Sequence, residues 1–585
     1  MKKIINQPEC VVPDMCAGIV LAHPELALDA KYKIIYKKQL DVRKVTLISG
    51  GGSGHEPAHA GFVGQGMLDA AVCGDVFASP SQIQVYQAIR KTTSDAGTLL
   101  IIKNYSGDIM NFKNAAYLAA EDGIQVDYVK VDDDIAVRDS LYTVGRRGVA
   151  GTVFVHKIAG AAAEKGMTLP QVKAVAQKTA ASVKSIGFAL TSCTVPAKGT
   201  PTFELPEGEM EYGVGIHGEP GIRREPVMKA GELAARMAQS LCEELGIQNG
   251  GARVAVLVNG FGATPLMELY LFNHEIAREM AQRGIAVARF FVGNFMTSID
   301  MAGASVSILK LDEELEELLN APSQAAAFRV DGPVDQVAYA GRQAVNGADT
   351  VSFNIETDET FANVGAYLTL DNMVYMVDAM CESAIRNEVP FCELDAHAGD
   401  GDFGMSIAKG FRQLKREWNE VAVQDGEDIS DFLNRCSLII MEHCGGASGP
   451  IWGSAFRAAA KSVRGKKTLR VSDFAQMMQA AVQGIQSTGE RSFGRGAVVG
   501  DKTLIDALVP CADAWSACAQ KGETLEHAFR AGAEAAMAGA KSTEKITARM
   551  GRAGTVGDRS IGYADAGAYG LAVIFYDVAT RLKFK

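Results

Sequence analysis

The strongest constraint on the fold is a change of rhythm past the middle of the chain. Up to about residue 330, short apolar runs alternate with glycine loops and helical stretches. Residues 45–48 read as a buried strand that ends in Ser49-Gly50-Gly51-Gly52-Ser53-Gly54. Residues 99–103 read as a second strand, followed by a loop over 104–108 and a helical pattern to Glu121. Residues 252–258, 285–291 and 306–311 are further strands, the first followed by a loop over 259–264 and a helix to about Arg283. This rhythm defines α/β layers, in which ligands sit on loops leaving the strand C-terminal ends. After Tyr367 strand-like runs vanish. Helical segments follow at about 368–387, 404–418, 428–443, 451–463, 472–487, 502–520, 524–541 and 566–581. Ser472 and Thr524 are placed to cap first turns.

The predicted architecture is multi-domain. An N-terminal α/β domain covers 1–330, with two α/β lobes at about 1–190 and 191–330. Composition turns mixed and poorly periodic from Pro322, and 331–363 is read as a linker. An all-α helical barrel or bundle follows over 364–585. A chain of 585 residues predicts three or four compact units.

Net charge of −11 argues against a general nucleic-acid binder. The eleven cysteines form no CxxC pair, and several, such as Cys73, Cys242 and Cys436, lie in apolar runs. That pattern predicts reduced thiols, with neither a disulfide framework nor a zinc site. The N-terminal stretch has no apolar signal-peptide core and no apolar run suffices to cross a bilayer, so a cytoplasmic location without membrane association is expected.

No segment fits a P-loop: residues 496–503 read GAVVGDKT, and the spacing fails at Asp501. His55-Glu56-Pro57-Ala58-His59 satisfies the zinc-protease pattern, but it opens from a glycine turn and carries a proline. Residues 213–218 satisfy a dinucleotide fingerprint but lead into Glu219-Pro220-Gly221 instead of a helix. Both matches are read as accidental.

Several other segments carry chemistry. The glycines around Ser53 exceed the needs of a turn and let backbone amides approach a ligand. Lys103 and Asp108 follow the next strand, at the same sheet edge as His55, and a carboxylate beside a histidine suits general-base work on a hydroxyl. His217 lies among small residues that leave its ring accessible, and a neutral imidazole can add to a carbonyl. In the helical part, Asp395, Asp400 and Asp402 fall within eight residues on a glycine-rich loop. Oxygen ligands clustered without cysteine suit magnesium. Glycine loops at 445–449 and 552–567 are placed to present amides to phosphates.

Together these segments resemble the single-chain dihydroxyacetone kinases, in which ketose-binding and nucleotide-binding parts are fused. The resemblance runs over essentially the whole chain. It rests on SGGGSGHEPAHAGFVGQGMLDAAVCGDVFASPS (49–81), KNYSGD (103–108), GVGIHGEPG (213–221), DAHAGDGDFG (395–404), GGASG (445–449), GDKTLIDAL (500–508) and GRAGTVGDRSIG (551–562). It implies a covalent hemiaminal between the ketose carbonyl and His217. Gly52, Ser53, Gly54, Lys103 and Asp108 are implied to hold the hydroxyls, and Asp108 with His55 to deprotonate the attacking one. Two magnesium ions are implied on Asp395, Asp400 and Asp402. Nucleotide contacts are implied at Gly401, Gly446, Ala447, Ser448, Gly500, Arg552, Asp565 and Gly567. The fusion implies ATP as donor, and the family implies a homodimer through the ketose domain.

The departures lie in the helical part. Residues 496–499 read Gly-Ala-Val-Val where the family usually has a basic residue and proline. Gly554-Thr555 replaces a small-residue/Tyr pair, Tyr563 replaces His and Ala566 replaces Pro. Two alternatives stay open: phosphorylation of erythrulose or another tetrulose, and cyclisation of flavin adenine dinucleotide on the same fold.

Overall fold

The computed structural model describes residues 2–137, 145–248, 250–335, 339–341, 357–422, 427–550, 554 and 557–585. It forms two compact units, divided between residues 342 and 343. No described helix is long and apolar enough to cross a membrane.

In the first unit, β1 (Leu26–Asp29), β2 (Ile34–Lys37), β3 (Thr46–Ser53), β5 (Ala70–Val76), β6 (Thr98–Lys103) and β7 (Val126–Val131) form one sheet, and Gly64–Gln65 is β4. The sheet order is β1-β2-β5-β3-β6-β7, with β5, β3, β6 and β7 mutually parallel. Every residue of β3 and β6 is buried, as expected for central parallel strands covered on both faces. The two strands end at Ser53 and Lys103, which places both sequence-predicted loops at one sheet edge.

The second sheet contains β8 (Val183–Ala189), β9 (Glu209–Tyr212), β10 (Arg223–Pro226), β11 (Arg253–Gly260), β12 (Ala286–Gly293) and β13 (Gly303–Lys310). Its order is β10-β9-β8-β13-β11-β12. Only β11 and β12 pair in parallel, so this lobe is mixed where uniform strand–loop–helix layers were expected. Val254, Val256 and Val258 of β11 face one core and Ala255 and Leu257 the other, which is the period of two that a strand imposes.

Helices α1 (Val11–Ala22), α2 (Gln82–Thr92), α3 (Ser106–Glu121), α4 (Thr152–Glu164), α5 (Leu169–Ser182), α6 (Ala230–Glu244), α7 (Leu266–Gln282) and α8 (Glu313–Asn320) complete the layers. α2 and α3 cover one face of the first sheet, and α6 and α7 cover the outer face of the second. α4 is buried from Thr152 to Ala163, because one core takes side chains from both sheets. That shared core is why the two lobes stay one unit and the count of compact units falls below the expectation. The stretch from Pro322 is not wholly linker: β14 (Ser323–Ala325) pairs with both β15 (Phe328–Val330) and β4 in a small sheet.

The second unit is helical: α9 (Leu370–Arg386), α10 (Glu388–Asp395), α11 (Phe403–Arg416), α12 (Trp418–Val421), α13 (Ile429–His443), α14 (Ser448–Ser462), α15 (Val471–Phe493), α16 (Ile505–Lys521), α17 (Leu525–Ser542) and α18 (Ala566–Arg581). α13 through α18 pack each on the next; α18 packs on α9, α9 on α11 and α11 on α13. The ring thereby closes into a barrel. Its interior is apolar, with Met373, Met376, Leu433, Trp452, Phe474 and Phe575 around a cavity of about 100 Å³. Thr524 caps α17 as predicted, its hydroxyl accepting from the His527 amide. Ser472 does not cap: α15 starts at Val471, and the Arg470 amide donates to Asp473 Oδ2 at 2.9 Å.

Candidate active site

The first unit gathers its chemistry between the two sheets. His55 follows β3, and His217 lies in the connection between β9 and β10. Their Nε2 atoms are 3.3 Å apart. His55 Nδ1 is 2.9 Å from the Thr297 carbonyl, which can only accept, so His55 carries its hydrogen on Nδ1 and its Nε2 is an acceptor facing His217. Burial, then the charges of Lys103 and Arg147, hold His217 down to about 3. Burial, then His217 and Lys103, hold His55 well below 6.5. Both imidazoles are neutral and nucleophilic at neutral pH.

Three aromatic rings wall His217. Its ring centroid lies 4.5 Å from Tyr105, 5.3 Å from Phe77 and 4.7 Å from His55. Glycines at the end of β3 and just after it make room for one of these walls. A Cβ on Gly52 would come within 2.7 Å of the Ala78 nitrogen, and one on Gly54 within 2.8 Å of the Phe77 ring. The Gly54 amide is taken by Glu56 at 3.0 Å, and Ser53 Oγ donates to the Gly74 carbonyl at 2.7 Å. Lys103 is fully buried, with Nζ 3.2 Å from Asp108 Oδ2. Asp108 also accepts from Ser79 Oγ. It belongs to the first turn of α3 where a loop was expected, because that helix begins at Ser106.

The loop carrying His217 is held from beneath. The His217 amide donates to Glu219 Oε2 at 2.8 Å, and Glu219 Oε1 accepts from Arg147 at 3.0 Å. Arg147 also donates to Asp134 Oδ2 at 2.7 Å and to the Gly213 carbonyl at 2.9 Å. Residues 213–218 form no helix, so no dinucleotide cradle exists there. His55 and His59 do not share a helix face either. His59 Nδ1 faces His156 Nε2 at 3.0 Å, in a buried pair.

The helical unit carries the second cleft. Asp395 ends α10, a helix absent from the sequence reading, and Asp402 precedes α11. Ligand oxygens of Asp395, Asp400 and Asp402 lie within 4.8 Å of one another. Asp395 Oδ2 accepts the amides of Asp402 and Phe403, which fixes the loop. An all-oxygen donor set of this size fits magnesium. The triad lines one cleft with Gly446, Ala447, Ser448, Asp565 and Gly567. Burial pushes Asp565 up to about 7.

Gly401 and Gly500 are not among the residues lining that cleft. Gly401 has φ +75° between two of the triad, and the Gly500 amide donates to Asp506 Oδ1 at 2.6 Å. Arg552 lies outside the described residues. Ser406, Lys502, Thr503 and Met550 line the cleft without having been singled out. In the first unit the residues missed are Gly51, Phe77, Tyr105, Arg147 and Glu219. Gly51, Phe77, Tyr105 and Glu219 all sat inside quoted motifs, whereas Arg147 carried no sequence signal.

A walled, neutral imidazole in one unit and an acidic, glycine-lined cleft in the other define a small-molecule kinase that works without a P-loop. The comparisons agree with that class. The Dak1 domain matches residues 17–327 and the DAK2 domain residues 397–580. Triokinase/FMN cyclase of Mus musculus is 34% identical over 585 residues, covering 98% of this chain and 97% of its own. D-erythrulose kinase of Mycolicibacterium smegmatis is 34% identical over 584 residues, covering 99% and 98%. The crystal structure of the C. freundii dihydroxyacetone kinase with AMP-PNP and Mg2+ aligns at TM-score 0.59 and 31% identity, covering 99% of each chain. The chain belongs to the dihydroxyacetone kinase/triokinase family, with the Dak1 α/β domain and the helical DAK2 domain fused in one chain.

Proposed function

We propose that this chain phosphorylates dihydroxyacetone with ATP after capturing the ketose carbonyl on His217. The observation that carries the reading is the neutral His217 imidazole, aromatic-walled and 3.3 Å from a histidine nitrogen that can only accept. The unprotonated ring nitrogen of His217 adds to the carbonyl carbon as the C=O π bond breaks, and His55 Nε2 takes the proton from the other ring nitrogen. That same proton is handed on to the alkoxide oxygen, leaving both imidazoles neutral and the hemiaminal hydroxyl formed. This tether immobilises a ligand too small to bind tightly otherwise and discriminates against glycerol, which has no carbonyl. Lys103 with Gly52, Ser53 and Gly54 holds the hydroxyls. Asp108, anchored by Lys103 and Ser79 and assisted by His55, removes the proton of the hydroxyl whose oxygen attacks the γ-phosphate. ADP leaves.

In the helical unit, Asp395, Asp400 and Asp402 hold the metal, and Gly446, Ala447 and Ser448 present the start of α14 to the phosphates. Magnesium, two ions in this reading, supplies neutralisation of phosphate charge. The same reading includes a homodimer through the ketose domain and a cytoplasmic location.

A second reading changes the ketose: a relative of the same identity as the mouse enzyme is named D-erythrulose kinase. The mouse enzyme's name also includes FMN cyclase, which keeps flavin cyclisation open for this fold. The test is ADP release from Mg-ATP across dihydroxyacetone, D- and L-erythrulose, glyceraldehyde and glycerol, with His217→Ala beside the native chain. Ketose-dependent turnover lost in the variant is expected, and the fastest ketose sets the substrate. Turnover indifferent to His217 would sink the covalent mechanism. Turnover of flavin adenine dinucleotide with manganese but of no sugar would establish the cyclase instead.

A further inference from the structure

Lys502 is the one lysine among the described residues lining the nucleotide cleft, and so the natural candidate for a phosphate ligand. Its surroundings say otherwise. The side chain is buried and its backbone has φ +63°. Nζ donates to the carbonyls of Ser560 at 2.5 Å, Tyr563 at 2.9 Å and Ile546 at 3.2 Å. An ammonium has three hydrogens, and three backbone acceptors take them.

The contact to Tyr563 continues across the cleft. The Tyr563 ring stacks on His397, with centroids 3.8 Å apart and planes 10° from parallel. Both side chains are exposed, so the stack is no part of the barrel core. His397 sits in the turn between Asp395 and Asp400. The next residue on each side, Ala398 and Ala564, lines the cleft.

We propose that Lys502, Tyr563 and His397 form a clasp: Lys502 fixes the backbone of the wall leading to Asp565, and the Tyr563–His397 stack locks that wall to the loop bearing the aspartate triad. All three are positioning residues, and Lys502 does not bind phosphate. The clasp is built from residues of the helical unit alone. It rests on reading the cleft as the nucleotide site.

The test is equilibrium binding of AMP-PNP with magnesium to the full chain, for native protein, His397→Ala, Tyr563→Ala, the double variant and Tyr563→Phe. Each single alanine variant is expected to bind about three- to tenfold more weakly, the size of one aromatic pair. The double variant should be no weaker than the poorer single, because both remove one interaction. Tyr563→Phe keeps the ring and should bind as the native chain does. In turnover the loss should fall on KM for ATP more than on kcat, with ketose KM unmoved. Native-like affinity in both single variants, or fully additive losses, would overturn the clasp. Lys502→Met removes a buried charge and can unfold the wall, which is why the exposed pair is the primary test. If Lys502→Met folds and keeps native affinity but loses kcat, Lys502 acts on phosphate and the clasp is wrong. Failure of the native chain itself to bind AMP-PNP would instead overturn the nucleotide reading of the cleft.

Discussion

Glu219 holds the backbone of the residue two before it: its Oε2 accepts the His217 amide hydrogen at 2.8 Å. Its other oxygen takes Arg147 at 3.0 Å, and Arg147 also grips the Gly213 carbonyl and Asp134. One guanidinium therefore ties both ends of the loop that presents the imidazole. The fit leaves no spare room, since a Cβ on Gly215 would stand 1.7 Å from Glu219 Oε1. Glu219→Gln keeps an acceptor for the amide but removes the charge paired with Arg147. A charge-assisted hydrogen bond is worth about 1.5 kcal/mol or more, so kcat/KM for the ketose should fall roughly tenfold. KM for ATP should not move. A ketose kcat/KM unchanged in Glu219→Gln would show that the loop keeps its shape without the pair.

Gly51 permits the deepest charge in the pocket. A Cβ there would come within 2.7 Å of Lys103 Nζ and 3.5 Å of Asp108 Oδ2. Gly51→Ala should fold, since its backbone sits in ordinary strand geometry within β3. It should raise ketose KM about tenfold or more by pushing Lys103 off Asp108, at the scale of a lost charged hydrogen bond. Steady-state kinetics with ketose and ATP varied separately checks this, and native ketose KM would place Lys103 outside substrate binding.

Much of this was legible in the sequence, for identifiable reasons. β6 and the strand part of β3 were readable because fully buried strands are continuous apolar runs. The end of β3 was not, because Gly50–Gly52 have no side chains to show a strand pattern, and pairing with β5 keeps them extended. α10 was missed because Pro390 and its short span hide an eight-residue helix whose role is to place Asp395. His217 and the aspartates were visible as motifs. Arg147 was not, since a lone arginine looks like surface until Asp134 and Glu219 close on it from distant positions.

The buried imidazoles set a pH signature. His217 and His156 are held down to about 3, and His55 and His59 well below 6.5, burial being the first cause in each. Between about 6.5 and 3 the unfolded chain takes up protons that the folded chain refuses, so stability rises with pH across that window and falls as pH drops through it. Asp565, raised to about 7, and Asp134, raised to about 6, oppose this slope, so the histidine part is read as a difference. The melting temperature of the native chain minus that of His156→Gln should be constant above pH 7 and fall from pH 6.5 toward 4. His156→Gln should shallow the slope, each histidine contributing at most about 1.4 kcal/mol per pH unit. A matching consequence is the lack of an acid limb near 6.5 in ketose kcat/KM. A limb there, with no pH dependence in the difference between the native chain and His156→Gln, would mean that the imidazoles titrate freely in the folded state.

The aspartate triad separates the kinase reading from the zinc reading of His55 and His59. Asp395→Asn retains an oxygen for the amides of Asp402 and Phe403, so the loop should stay formed while one of three charges is lost. Magnesium dependence of turnover should then shift to higher concentration by about tenfold or more, as for other sites tuned by ligand charge. Chelation should abolish turnover in the native chain and added magnesium should restore it. Carbonyl capture on His217, followed by NMR of labelled ketose, should survive both treatments because its residues belong to the other unit. Stoichiometric zinc in the purified chain, with activity lost in His59→Ala and indifferent to Asp395→Asn, would reverse the assignment. The 3.0 Å contact of His59 Nδ1 with His156 on α4 argues against that result, because it occupies one of the two ring nitrogens that could take a zinc ion.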